Sequence, residues 1–139
     1  MTHKKAALIT ASLFFILWLG ILYAGADHPP PPGFVLVILI DLAASAVIYL
    51  RVPVYLNWYI NHKKYRLLRI CLEGLLAGLM VGMLMILLPG SRQPGFTPTQ
   101  LDRFIWLAVL GLVGMANAVF VYFLGTVINK VTLNIKHHP

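Results

Sequence analysis

Acidic residues are scarce in this chain: Asp and Glu number four in 139 residues, against eleven Lys and Arg. Charged residues of both signs make up only 11% and hydrophobic residues 60%. A soluble globular domain carries about 25% charged residues, so that class is excluded and the membrane class is indicated. Cysteine is reduced to Cys71. That rules out an internal disulfide framework and a cysteine-based metal cluster, and inside an apolar run Cys71 reads as a small packing residue.

The five histidines, His3, His28, His62, His137 and His138, all fall outside the apolar runs, which argues against haem held between helices. Asp27 and His28 are adjacent but too few for a metal site. Met80, Met83, Met85 and Met115 have no Cys or His beside them, and read as core or lipid-facing filler rather than a soft-metal path. No G-x-S-x-G, H-E-x-x-H, C-x-x-C or phosphate-cradling loop occurs. With no catalytic constellation, neither an enzyme nor a cofactor-binding protein is expected.

What the chain does have is long apolar runs. They predict an all-α integral membrane protein, one membrane domain over 1–139, folded as a four-transmembrane-helix bundle with antiparallel neighbours. Spans are expected near 6–24, 34–50, 67–88 and 104–128, each close to the roughly 20 residues needed to cross a bilayer. The first could instead be a signal peptide cut at Ala24-Gly25-Ala26, but it exceeds the usual 7–15 or so apolar residues of such a segment and carries Trp18 and Tyr23. The outer link 25–33 holds four consecutive prolines, a stiff connector rather than a helix. Pro53 predicts a break after the second span, followed by a short interfacial helix over 54–61 inside a basic, aromatic link at 51–66. Pro89-Gly90 predicts the end of the third span. Thr97 or Thr99 is expected to open the fourth, with Asp102 suiting the positive end of its dipole. A polar tail is expected from Asn129.

The cations set the orientation. Lys4, Lys5, Arg51, Lys63, Lys64, Arg66, Arg69, Lys130 and Lys136 flank one side and only Arg92 and Arg103 the other. The positive-inside rule then places both termini and the central link in the cytoplasm, in a plasma membrane of the bacterial inner-membrane kind. The basic residues cap apolar runs instead of forming a soluble face, so the expected partners are the lipid bilayer and other membrane proteins or further copies of the chain, and not nucleic acid.

Two groups of residues stand out. Gly74, Gly78 and Gly82 recur at every fourth position of the third span, a spacing that lets helix backbones approach closely in lipid. Gly111, Gly114 and Ala118 are counterparts on the fourth. The other group is polar. Asp41 lies about 10 Å below the outer end of its span at 1.5 Å per residue, a depth where a carboxyl needs a partner or a cavity. The same count places Trp18 at that level, with Ser45 one turn on, so Trp18 and Ser45 are expected to hold a neutral Asp41 carboxyl. Glu73 is expected to pair with Arg69 four residues earlier and to meet Asn117 at similar depth. Asp41 and Glu73 differ by about 12 Å in depth, which is too far for a carboxylate pair.

These features predict an accessory or partner-binding membrane subunit acting through glycine-lined helix faces and the basic aromatic link. The alternative is a small transporter or proton-coupled permeation subunit using Asp41. A weaker alternative is a toxin-immunity membrane protein.

Overall fold

The computed structural model describes residues 2–26, 28–30, 33–61, 64–87 and 99–134. Those residues form four helices: α1 (Thr2–Gly25), α2 (Phe34–Asn61), α3 (Arg66–Leu87) and α4 (Gln100–Asn134). Each contains a segment long and apolar enough to cross a bilayer. At most 28% of the residues in any of these segments are buried. Large apolar side chains stay exposed around them: Phe104 is 77%, Leu87 76% and Leu50 67% exposed. Helices this apolar on their outer faces have the length and composition of membrane spans.

The helix ends differ from the sequence expectation in two places. α2 does not break after residue 50; it runs through Pro53 to Asn61. The proline removes the amide that would bond the Tyr49 carbonyl, yet Val52, Tyr55 and Leu56 on either side are buried. Packing there outweighs the local break, as happens in membrane helices. The helix expected over 54–61 is therefore not a separate interfacial one but the last part of α2. α4 likewise continues to Asn134 instead of ending near Ile128. Thr132 Oγ1 donates to the Ile128 carbonyl within that last stretch, and no proline or glycine interrupts it.

Local chemistry explains two helix starts. Thr99 caps α4: its hydroxyl accepts the Asp102 amide at 3.2 Å and donates to Asp102 Oδ2 at 2.7 Å, while the Thr99 amide donates to the same oxygen at 2.9 Å. This reciprocal pair satisfies donors that a helix start leaves open. Before α3, Tyr65 adopts φ 60°, in the left-handed region that costs a non-glycine residue strain. Its carbonyl accepts the Arg69 amide at 3.1 Å, starting the helix. Residues 88–98, with the expected Pro89-Gly90 stop, and residues 135–139 of the tail lie outside the described residues, as does Asp27.

The contacts group the chain into two compact units. One comprises Met1–Lys63 with Val121–Pro139, and the other Lys64–Phe120. In the first, Ala6, Ala7, Thr10, Ala11 and Phe14 form a buried stripe along α1. Buried Val52, Tyr55 and Leu56 come from α2, and Val121 and Tyr122 from α4. These elements meet at Gly125, where an added Cβ would lie 3.2 Å from Val52 Cγ1 and 3.7 Å from Thr10 Oγ1. Thr10 spends its hydroxyl on the Ala6 carbonyl at 2.7 Å, so the buried oxygen is satisfied.

Candidate functional site

In the Lys64–Phe120 unit, α3 and α4 touch backbone to backbone. A Cβ on Gly74 would lie 2.5 Å from the Gly114 carbonyl oxygen, 2.6 Å from Ala118 Cβ and 2.8 Å from Met115 Cα. One on Gly78 would overlap the Leu110 carbonyl oxygen, and one on Gly114 the Gly74 carbonyl oxygen. Gly82 is looser: its nearest neighbours are methyl groups of Leu107 at 3.0 Å and Leu110 at 3.2 Å. Partners on α4 thus fall in number as those on α3 rise. Only glycine fits at Gly74 and Gly78, because the obstructing atoms are main chain or, at Gly74, also the equally fixed Ala118 Cβ, and cannot turn aside. The glycine face of α3 is therefore occupied within the chain and is not left open for another protein.

Glu73 and Asn117 each neighbour this contact in sequence, next to Gly74 and Ala118, and both are half-buried; Arg69 is exposed. The Gly74–Ala118 approach brings the backbones carrying Glu73 and Asn117 to one level of the unit.

The other polar group lies in the Met1–Lys63 and Val121–Pro139 unit. Asp41 and Ser45 are one turn apart on α2, and each is only 6% exposed. Asp41 Oδ2 and Ser45 Oγ are both buried without a hydrogen-bond partner. The Ser45 half of the expected clip is therefore not made: Ser45 does not bond Asp41, and Oδ2 has no partner. Residues four apart share a helix face with Cβ atoms about 5–6 Å apart. Two such short side chains meet only if both rotamers turn toward each other, which spacing alone does not decide. Trp18 packs against Phe14, with ring centroids 6.3 Å apart.

Ser45 lines an open groove of about 400 Å³ between α1 and α2. Its lining combines small Ala11, Ser12, Ser45 and Ala46 with larger residues such as Phe15 and Tyr49. This groove was not legible in the sequence: its residues follow the three- and four-residue spacing of one helix face on both α1 and α2, but in helices apolar all round every face has that spacing and nothing marks this one. It differs from the α3–α4 contact in being unfilled.

At the end of this unit, cations sit on rings. The Arg51 guanidinium carbon is 5.7 Å from the centroids of both Tyr55 and Trp58. Lys130 Nζ is 5.9 Å from the Tyr59 centroid, and Tyr59 also approaches Tyr122 at 6.5 Å. The basic and aromatic character of residues 51–66 was visible in the sequence, but the part played by Lys130 and Tyr122 was not. Asn129, beside Lys130, is 9% exposed and its Oδ1 has no hydrogen-bond partner.

Among the described residues, no group of three or more His, Cys, Asp or Glu side chains comes together to hold a metal ion. No protein-family model matches the chain, and no similar curated protein or solved structure was found, so its function is argued from these residues alone.

Proposed function

We propose that this chain is a four-span protein of the plasma membrane, with antiparallel helical neighbours and both termini cytoplasmic, that serves as an accessory subunit docking on another membrane protein. Four long apolar helices with exposed apolar faces support the membrane placement, and the nine-to-two division of Lys and Arg supports the orientation. The observation that carries the docking role is the open α1–α2 groove, with small Ala11, Ser12, Ser45 and Ala46 in its lining. In lipid, helices associate through close approach of small residues and through side-chain hydrogen bonds. A partner's transmembrane helix bearing a polar side chain level with exposed Ser12 meets both requirements. The glycine-lined faces act within the chain, holding α3 to α4.

A photocrosslinking residue at Ser12 or Ala46 tests this role in native membranes. The expected result is one discrete crosslinked partner, lost when Ser45→Leu fills the groove. Lipid adducts alone at both positions would contradict it.

Asp41 favours a second function, proton-coupled permeation, because its Oδ2 is buried and unbonded and such carboxyls mark proton paths. If that function holds, Asp41→Asn abolishes activity while the protein still assembles, whereas Ser45→Leu leaves activity intact.

A further inference from the structure

Past Gly82 the seal between α3 and α4 gives way to a cleft of about 380 Å³. Met83 and Leu87 line it from the last turns of α3, and Gln100, Arg103, Phe104 and Leu107 from the first turns of α4. Positions three or four apart share a helix face, so the cation and the apolar residues line one and the same cleft. Phe104 and Leu87 are largely exposed, which leaves the cleft open to the surroundings. Along α4 the lining is graded. Gln100 and Arg103 stand near the helix start, and Leu107 lies about 10 Å deeper than Gln100 at 1.5 Å per residue.

Among the described residues, Arg103 is the single charged one in this lining. Its Nε is buried without a hydrogen-bond partner, a costly state for a charged donor. The neighbouring carboxylate is engaged elsewhere: Asp102 Oδ2 accepts the Thr99 amide at 2.9 Å and the Thr99 hydroxyl at 2.7 Å. Topology does not call for a cation here either, because the positive-inside bias gathers Lys and Arg at the opposite ends of the spans. A soluble anion would pair with Arg103 and leave Phe104 and Leu87 uncovered. A hydrocarbon chain alone would cover them and leave Nε unbonded. One molecule carrying a phosphate and an apolar chain meets both needs, and the planar guanidinium fork suits the phosphate.

We propose that the cleft between the end of α3 and the start of α4 holds an anionic phospholipid, with its phosphate at Arg103 and one acyl chain along Met83, Phe104 and Leu107. The proposal rests on the membrane placement of the chain and adds a lipid site to it. The full chain is reconstituted into vesicles of phosphatidylcholine mixed with phosphatidylglycerol and checked for resistance to alkaline extraction. It is then taken into mild detergent for native mass spectrometry of retained lipid. The expected result is enrichment of phosphatidylglycerol over its share in the vesicle. Arg103→Gln lowers that enrichment about fivefold. Met83→Trp, which takes up cleft volume without changing charge, lowers it as well. Lys4→Gln, which removes the same charge from the start of α1, leaves it unchanged.

Stable insertion without enrichment would overturn the proposal alone. So would an equal loss with Lys4→Gln, which would mean that only total charge matters. Full enrichment in Met83→Trp would place the acyl chain outside the cleft and overturn it too. Displacement of the lipid by inorganic phosphate would assign Arg103 to free phosphate and overturn the lipid source. Alkaline extraction of the unaltered chain would overturn the membrane placement as well.

Discussion

The α3–α4 contact and the α1–α2 contact use opposite means to bring helices together. The first is sealed by glycine against main chain, with no room for a methyl group at Gly74 or Gly78. The second leaves a groove along part of its length and buries Asp41 and Ser45 with unbonded oxygens. A buried polar atom without a partner costs free energy that a packed apolar group would not. One contact is thus arranged for cohesion, and the other keeps costly features that cohesion does not need. Such departures are expected where a molecule works.

The largest expected effect breaks the sealed contact. Gly78→Leu drives a side chain into the Leu110 carbonyl and should destabilise the fold by roughly 3 kcal/mol, read from unfolding in mixed detergent micelles. Next, Asp41→Leu should stabilise by roughly 2 kcal/mol, since the carboxyl is costly at that depth. Destabilisation instead would show that the carboxyl is a structural tie and remove the contrast. Gly82→Ala should cost about 1 kcal/mol or less, because the methyl groups of Leu107 and Leu110 can shift. Smallest of all, Ser45→Ala should be neutral or stabilising by a few tenths of a kcal/mol, as it removes a hydroxyl that bonds nothing. A loss of roughly 1 kcal/mol or more would mean that Ser45 is bonded in the membrane.

The helices were legible because apolar runs of this length have one physical outcome in a chain with so little charge. Their ends were less so. Pro53 signals a break locally, but buried Val52, Tyr55 and Leu56 carry α2 through it, and burial by distant segments leaves no local signature. The glycine stripe of α3 stood out because it repeats every four residues. Gly125 meeting Thr10 and Val52 did not, because a single small residue has no period. For Asp41 and Ser45 the spacing gave the shared face correctly and the hydrogen bond wrongly, since rotamers are set by neighbours that spacing does not reveal. Lys130 over Tyr59 joins residues more than seventy apart in sequence, beyond what any local pattern reports.

The central claim is that the chain crosses the membrane four times with its cation-rich ends in the cytoplasm. Paired alkaline phosphatase and green fluorescent protein fusions after Tyr65 and after the carboxy-terminal residue test it most directly. The account predicts fluorescence and no phosphatase activity at both positions, with the reverse for a fusion after Gly33. Phosphatase activity at either Tyr65 or the carboxy terminus would contradict it.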